Sequence, residues 1–443
     1  MCNYFHRDIT EAVTRRKKLA SGILFLLLAP ATLFSQDTTG FGFFGYMRSG
    51  FGIDGKGGPL DVFQAPGSEA KYRLGNEAEA YVEALFRYAF EDEGKALFET
   101  NLRVAFVTPT SKSNQFTTTT SVREAYVKAT GVVQKKPSMA FWAGQRFYDR
   151  YDVHMVDYFY RDMSGFGGGF EDLVIGRQVK LSLAFLGGSI DELASNGSVQ
   201  PVNEFVLNKT TFDLSLYHIN IGFGRIGINL ALSNFTGDSI VTTAGSLRVG
   251  SNTGWSAGMF HELDFKGGRN RLNIFYGTGA AENYKAVITQ PAGLEIIPGV
   301  PVDVSGFSRF RILNDLQLDL GPYFSLLGLL MYQRLGNQQP GPGHLDWVSA
   351  GFRPAFHLNR YFSLVGEAGL DFTSNEGMED GMLVKVTVAP QISPLNKILS
   401  RPAIRAYFTY AQWSDSWIGQ VAAGSFPDQS HGFSAGIQME TWW

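Results

Sequence analysis

YRLGNEAEAYVEALFRYAF, residues 72–90, alternates apolar and polar side chains almost without a break. One set of alternate positions is mostly apolar and reads Tyr72, Leu74, Asn76, Ala78, Ala80, Val82, Ala84, Phe86, Tyr88 and Phe90. The other set is largely charged and reads Arg73, Gly75, Glu77, Glu79, Tyr81, Glu83, Leu85 and Arg87. Because side chains along a β-strand point to its two faces in turn, the stretch predicts a strand with one lipid-facing and one water-facing side. Its length favours a tilted, extended transmembrane strand over a strand of a soluble sandwich.

The same alternation recurs elsewhere in the chain. It is found in residues 98–104 and 404–410, and again at the C-terminus, where Phe433, Ile437 and Trp443 share one face. Turn-rich breaks at 54–58, 336–343 and 373–381 separate the alternating runs, and no linker divides the chain. Because a closed barrel satisfies every backbone group in lipid and has no free edge, residues 37–443 are predicted to form one transmembrane β-barrel.

The first 36 residues differ from the rest. A basic run, residues 15–18, precedes an apolar stretch, residues 19–33, that is too short to span a bilayer. This pattern predicts a signal peptide, residues 1–36, cleaved between about 31 and 36, and therefore export. The one cysteine, Cys2, lies in this segment.

Charge and hydropathy narrow the possible functions of the rest of the chain. The chain has 38 basic and 41 acidic residues, of which five basic and two acidic ones lie in the leader. Removal of the leader therefore leaves 33 basic and 39 acidic residues, a net charge near −6. A mildly acidic exported protein is not expected to bind nucleic acid. No later stretch has about 18 consecutive apolar residues, so membrane-spanning helices are not expected.

Charged side chains fix which face of the strands points inward. Arginine on the lipid face costs roughly 2 to 4 kcal/mol near the midplane, so Arg48 should face the lumen together with Tyr46. The same argument places Tyr81 beside Glu83, and Trp442 inward near the C-terminus. Single rings could be girdle residues at the barrel rims. The repeated pairing of a ring with a charge favours sugar binding, because a sugar has an apolar ring face and a rim of hydroxyls.

Five blocks of the sequence resemble the maltoporin family of sugar-specific porins, a group that includes the sucrose porins. The blocks are GYMRSG (45–50), KYRLGNEAEAYVE (71–83), FWAGQRFYDRYDVHMVDYFYRDMSG (141–165), SRPAIRAYFTYAQW (400–413) and QMETWW (438–443). They follow one another in the family's order, whereas residues 180–340 resemble it little. Because family members carry different sugars, the resemblance does not fix the sugar.

The resemblance implies an all-β fold: an 18-stranded antiparallel barrel, trimeric in the outer membrane of a Gram-negative-type cell, with an inward-folded third loop that constricts the pore. It implies no cofactor. In this family an aromatic slide guides the sugar and an ionic track binds its hydroxyls. Carried over position by position, the slide comprises Tyr46, Tyr81 and Trp442. The track comprises Arg48, Arg73, Glu83, Arg123, Arg150, Asp152 and Asp157.

The sequence departs from the family pattern at several positions. The family's slide tryptophan aligns with Leu358, and Tyr361 lies nearby in the sequence. The slide phenylalanine of the family's middle strands has no clear equivalent, although Trp255 and Phe260 are close to its position. At the constriction, Phe159 replaces a tyrosine and Arg161 replaces a tryptophan, which adds a cation. Phe116 aligns with the aromatic that reaches a neighbouring subunit, and Val62 and Ala78 replace a cysteine pair. These departures bear on the sugar preference.

The charged stretch 146–160 also allows other interpretations. Asp152, His154 and Asp157 could be metal ligands, but their spacing matches no standard metal site, so neither metal nor catalytic residues are predicted. A glycosidase would need one raised carboxyl pKa, which the nearby Arg150 and Arg161 oppose. We therefore expect a non-enzymatic channel for diffusion of sugars, maltose and maltodextrins first. A nonspecific or differently selective porin is the alternative.

Overall fold

The computed structural model describes residues 39–77, 79–108, 119–190, 207–242, 245–286, 304–336, 343–376 and 379–443. The predicted signal peptide, Ala78 and Phe116 lie outside these ranges. Within them, no helix is both long and apolar enough to cross a membrane. The helices in the same ranges are three short 3-10 turns, Gly279–Ala281, Val304–Gly306 and Asp415–Trp417.

Eighteen of the strands in the described residues form one sheet. They are β1 (Gly40–Asp54), β2 (Ala80–Glu91), β3 (Leu97–Thr108), β4 (Thr119–Thr130), β5 (Ala140–Arg146), β8 (Gly165–Ile175), β9 (Val179–Ile190), β10 (Leu207–Asn220), β11 (Arg225–Phe235), β14 (Asn252–Phe265), β15 (Gly268–Thr278), β16 (Ser308–Leu320), β17 (Phe324–Gly336), β18 (His344–His357), β19 (Phe362–Asn375), β20 (Gly381–Ile392), β21 (Ala403–Trp413) and β22 (His431–Trp442). Two hairpins lie outside this sheet: β6 (Arg150–Val153) with β7 (Tyr158–Asp162), and β12 (Asp238–Thr242) with β13 (Gly245–Val249).

The sheet closes on itself. Each barrel strand pairs antiparallel with the next, and β22 returns to pair with β1, with Tyr46 opposite Trp442 and Asp54 opposite Ser434. Closure leaves no strand edge to be solvated, which is the condition for a sheet to persist in lipid. The predicted all-β, 18-stranded antiparallel barrel is confirmed.

The alternation in sequence becomes an apolar outside and a polar inside. On β21, Ile404 and Phe408 are each more than half exposed on the outer face, whereas Arg405 and Thr409 are buried inside the barrel. The predicted face assignments also hold at the C-terminus, where Phe433, Ile437 and Trp443 are exposed. An apolar band outside and polar groups inside are what lipid on one side and water on the other require.

The predicted strand 72–90 is wrong in its first half. β2 begins only at Ala80, and the preceding residues leave the wall and fold into the lumen. Tyr72 and Leu74 are each 1% exposed there, and the Tyr72 hydroxyl lies 2.9 Å from the Ser349 hydroxyl of β18. Alternation indicates that every second side chain lies in apolar surroundings. These surroundings can be lipid or the packed interior of the barrel.

The inward segments cover one sector of the wall. Residues 59–77, the hairpin β6–β7 and residues 279–286 all enter the lumen, and apolar side chains of the first two pack against strands β15 to β21. The shared buried cluster contains Tyr72, Leu74, Val153, Met155, Val156, Tyr158, Tyr160, Phe275, Tyr284, Leu313, Leu327, Leu329, Met331, Trp347, Val365, Ile398 and Tyr407. On β1 and β2, by contrast, the inward side chains of Tyr46, Arg48, Tyr81 and Glu83 are only partly covered. The polar lumen therefore lies beside β1 and β2.

Candidate functional site

The hairpin β6–β7 is the inward-folded constriction loop that the sequence predicted. Its strands pair antiparallel, with Arg150 opposite Asp162 and Val153 opposite Tyr158. Asp149 and Asp157 adopt φ angles of 43° and 52°, a left-handed conformation that aspartate tolerates better than most residues. The hairpin thus carries a tight, charged tip into the lumen.

Buried polar contacts hold the hairpin against the wall. Arg161, 1% exposed, donates to Asp149 at 2.9 Å and to Asp213 of β10 at 2.5 Å. The guanidinium of Arg311 donates to the Tyr160 carbonyl at 2.6 Å. Because these groups are shielded from water, each contact would be costly to break.

A second tie joins the hairpin to the inward segment 59–77. The Tyr158 hydroxyl donates to the Glu69 carboxylate at 2.6 Å, and Arg309 forms an ion pair with the same carboxylate. Burial would raise the pKa of the Glu69 carboxyl, but Arg309 and Arg311 hold that pKa at about 2. Glu69 is therefore ionised at neutral pH and can accept these bonds.

The predicted slide residues lie on three adjacent strands. Tyr46 of β1 is opposite Trp442 of β22, and the Tyr46 and Tyr81 ring centres are 6.1 Å apart. A guanidinium lies near two of these rings: that of Arg48 is 5.0 Å from the centre of Tyr81, and that of Arg401 is 4.4 Å from Trp442. The three rings form a short row along the wall.

The charged groups around this row bridge the wall to the hairpin tip. Arg48 donates to Glu79 at 2.6 Å and to Asp157 at 2.9 Å, whereas Arg73 donates to the Tyr46 hydroxyl at 2.8 Å. Burial would raise the pKa of Asp157, but Arg73 and Arg48 hold that pKa below its ordinary value. Asp157 is therefore ionised at neutral pH.

His154, at the hairpin tip, contacts two arginines in addition to the carboxylate of Glu440. Its ring nitrogens lie 3.3 Å from Arg73 and 3.1 Å from Arg401, and its ring meets Trp442 edge-on at 5.8 Å. Burial, together with Arg73 and Arg401, lowers the pKa of His154 well below its ordinary value, although Glu440 opposes the shift. His154 is neutral at neutral pH and packs as a lumen residue.

Glu83 and Arg123 extend the charged row along β2 and β4. Glu83 accepts from the Tyr81 hydroxyl and pairs with Arg103 at 3.3 Å. The register between β3 and β4 shifts at Arg123, so that no residue of β3 lies opposite it. The Arg123 side chain reaches the Tyr81 hydroxyl. Such a bulge re-aims a side chain, which strict alternation cannot anticipate.

The remaining predicted residues lie on the hairpin itself. The guanidinium of Arg150 stacks 3.6 Å from the centre of the Phe159 ring and pairs with Asp162 at 3.1 Å. Asp152 lies opposite Phe159 in the hairpin, and its carboxylate repels that of Asp315 on β16. The expected extra cation, Arg161, is buried in its ion pairs and does not face the open lumen.

The positions that depart from the family pattern lie in different places. Leu358 and Tyr361 are in the exposed β18–β19 turn, away from the row of slide rings. On β14, Trp255 faces outward, and Phe260 faces inward at 5.7 Å from Tyr151. Val62 lies in the segment that follows β1, and its predicted counterpart Ala78 is outside the described residues.

Sequence reasoning missed a second cluster in the lumen. Glu367 and Lys385 of β19 and β20 form a fully buried ion pair at 2.9 Å, and Arg353 of β18 also donates to Glu367 at 2.8 Å. Arg401 pairs with Glu440 at 2.9 Å. Alternation does predict that Arg405 and Glu440 point inward. It does not show which strands lie opposite each other, so the cluster could not be predicted from it.

The alternative that Asp152, His154 and Asp157 bind a metal ion finds no support in the geometry. Across the described ranges, no group of three or more His, Cys, Asp or Glu is arranged to hold a metal ion. His154 turns toward Arg401, Asp157 toward Arg48 and Asp152 toward β16. The three side chains do not converge.

A closed barrel with an apolar outside, a charged lumen and an inward-folded hairpin defines a porin, a diffusion channel of the outer membrane. The family model described as LamB porin matches residues 41–443, so the chain belongs to the LamB porin family, as the resemblance to maltoporins predicted. It is a channel of the Gram-negative outer membrane. Its family and fold indicate a channel rather than an enzyme.

Several solved structures match most of the chain at low sequence identity. OmpF of Salmonella typhi, solved with daunomycin, is 10% identical, with 91% of this chain and 97% of that chain covered at a TM-score of 0.46. OccK3 of Pseudomonas aeruginosa is 10% identical, with coverages of 91% and 95% and a TM-score of 0.46. The DcaP channel of Acinetobacter baumannii is 9% identical, with coverages of 90% and 96% and a TM-score of 0.45.

Proposed function

We propose that the channel carries sugars by facilitated diffusion, with maltose and maltodextrins as the first candidates. The observation that carries this proposal is the row of Tyr46, Tyr81 and Trp442 beside the charged groups of β1 and the hairpin tip. Rings can cover the apolar face of a sugar while ionised groups exchange hydrogen bonds with its hydroxyls. This arrangement offers the sugar matched contacts at successive points.

Transport by such a row requires weak, repeated binding. A site must be favourable enough for the sugar to enter and weak enough for it to leave. The slide rings are partly exposed, and Arg48 and Asp157 satisfy each other when no sugar is present. Hydrogen bonds to sugar hydroxyls can replace these internal bonds at little cost in free energy. A concentration gradient is then sufficient to drive the flux.

Titration of the ion current with maltotriose tests the proposal. In planar bilayers, saturable block by millimolar or lower maltotriose is expected, with weaker block by glucose. Current that is unaffected by any of the sugars would favour the nonspecific porin. Release of glucose during the incubation would show an enzyme instead of a passive channel.

Trp442→Ala is expected to weaken this block. An aromatic contact contributes about 0.5–1.5 kcal/mol beyond its buried area, so the maltotriose concentration for half block should rise roughly 2- to 13-fold. Trp255→Ala is the control, because Trp255 is also a tryptophan of the barrel wall but is 49% exposed on the outer face. Equal titrations for Trp442→Ala and the wild type would remove Trp442 from the slide.

We also propose that the mature chain begins after a cut between residues 31 and 36 and assembles as a homotrimer. The basic and apolar runs of the leader and the family resemblance support these two points. N-terminal sequencing of protein purified from outer membranes would test the cut. Native mass spectrometry in detergent would test the trimer, and a monomer as the sole species would contradict it.

A further inference from the structure

A cavity adjoins the proposed sugar row. It lies between strands β18, β21 and β22 and the inward residues 73–77, and it is partly open to the lumen. It is lined by Arg48, Arg73, Leu74, Glu77, Arg353, Arg405, Gln438 and Glu440. Four of these described residues are arginines and two are carboxylates.

The positive charge is concentrated on the side away from Arg48. There, Glu367 binds both Arg353 and Lys385, at 2.8 and 2.9 Å. Glu440 is shared between Arg401 at 2.9 Å and Arg405 at 3.3 Å. Four cations thus share two carboxylates, while the nearby His154 is neutral. Around Arg48, by contrast, the carboxylates of Glu79 and Asp157 outnumber the cation they bind.

Two of these arginines keep a donor group for the cavity. Arg405 uses Nε on Gln391 at 2.7 Å and Nη1 on Glu440 at 3.3 Å. Arg353 uses Nε on Glu367 at 2.8 Å and Nη2 on the Met155 carbonyl at 3.0 Å. Among the described residues, the Nη2 of Arg405 and the Nη1 of Arg353 have no protein acceptor.

Gln438 supplies a third donor. Its Oε1 accepts from the backbone N–H of Gly75 at 2.9 Å, which fixes the amide so that its NH2 group is left to donate. Arg353, Arg405 and Gln438 are each less than a tenth exposed, so most of each side chain is shielded from solvent. Buried donors with surplus positive charge favour an anionic acceptor, and a guanidinium fork matches a planar oxyanion.

We propose that this cavity binds a small oxyanion, a carboxylate or sulfate group, through Arg353, Arg405 and Gln438. The group can belong to a free small anion or to an acidic saccharide in transit along the neighbouring row. The channel then accepts acidic solutes in addition to neutral sugars. The proposal stands on the charges and donors of the cavity and does not need the neutral-sugar site.

The first arm of the test compares two trisaccharides, trigalacturonate and maltotriose, as blockers of the ion current in 0.1 M KCl. With charge-assisted hydrogen bonds about twice as strong as neutral ones, trigalacturonate is expected to half-block at a concentration roughly ten-fold lower. Because salt screens the partly open site, this advantage should shrink at 1 M KCl. The second arm measures the acetate-to-potassium permeability ratio from reversal potentials in a potassium acetate gradient.

Arg405→Gln removes one charge and one cavity donor, and it should lower both the trigalacturonate advantage and the acetate permeability ratio. Arg87→Gln is the matched control, since Arg87 is a buried inward arginine paired with Glu99 at 3.3 Å and lies outside the cavity. Arg405→Lys, which keeps the charge but loses the fork, should fall between the wild type and Arg405→Gln. If Arg405→Gln does not insert into bilayers, Arg353→Gln tests the same cavity.

The outcomes separate the two sources of the oxyanion. An Arg405-dependent effect in both arms supports a site for acidic saccharides, and an effect in the acetate arm alone supports a site for free small oxyanions. Equal block by the two trisaccharides together with an Arg405-independent acetate ratio overturns the proposal. Absence of maltotriose block in the wild type would instead count against the neutral-sugar function, and the first arm would then be read from the Arg405 dependence of trigalacturonate block alone.

Discussion

Replacement of Arg161 by methionine is expected to release the constriction hairpin and raise the single-channel conductance. Without the guanidinium, the carboxylates of Asp149 and Asp213 are left buried and unpaired on facing segments. Breaking a buried ion pair by removal of one partner costs about 3–5 kcal/mol, which lowers the docked population of the hairpin by more than about 100-fold. Single-channel recordings in planar bilayers measure the conductance, and maltotriose titration measures the accompanying loss of block.

A second substitution tests whether the effect comes from the uncompensated charge. Adding Asp213→Asn to Arg161→Met removes one buried carboxylate and should recover part of the constriction. Arg334→Met is the control, because Arg334 is 53% exposed and its pair with Asp346 at 2.7 Å is of the kind that contributes about 0–1 kcal/mol. Wild-type conductance in Arg161→Met would show that the other wall contacts hold the hairpin alone.

Tyr72→Ala is expected to release the second inward segment. The Tyr72 ring lies against β18 and β19 where Gly351 and Gly369 have no side chains, and its hydroxyl meets Ser349. Loss of a buried aromatic ring costs about 3–5 kcal/mol. Since Arg73 is the next residue, its bond to the Tyr46 hydroxyl should be lost as well. Higher conductance and weaker maltotriose block than in the wild type are the expected results.

The glycine opposite Tyr72 gives a reciprocal test. A Cβ on Gly369 would clash with the Tyr72 ring, so Gly369→Ala should displace the segment in the wild-type background. In the Tyr72→Ala background the same substitution should add no further change, because the clashing ring is gone. Gly366→Ala on the same strand is the control, since its Cβ would meet only Pro354 at 3.4 Å. Additive effects of Tyr72→Ala and Gly369→Ala would mean that the two residues act independently.

Much of the barrel and part of the site follow from local pattern. Arg48 cannot face lipid at low cost, and its parity therefore places Tyr46 inward, where the structure has it. The same reasoning places Tyr81, Glu83 and Trp442 correctly on the lumen side. Strand alternation is a period of two imposed by backbone geometry, so it can be read from any single strand.

Other features depended on contacts between distant segments. The bulge that turns Arg123 toward Tyr81 interrupts the period of two, and Arg161 is charged in sequence yet ends in a buried pair with Asp213, 52 residues away. Tyr72 alternates like a lipid-facing residue and instead packs on glycines nearly 300 residues further along the chain. None of these partners is adjacent in sequence, so no local pattern specifies them.

The alternating stretch 72–90 shows where this division lies. Together with the other alternating runs of the chain, its sequence predicted an all-β membrane barrel, because period-two patterning and the cost of charge in lipid act on each residue locally. Barrel closure decided which half of the stretch stays in the wall. Closure brings β18, β19 and the hairpin around one lumen, where Tyr72 and Leu74 are buried. The surplus of cations around Arg353 and Arg405 arises in the same way, from strands that meet only in the closed barrel.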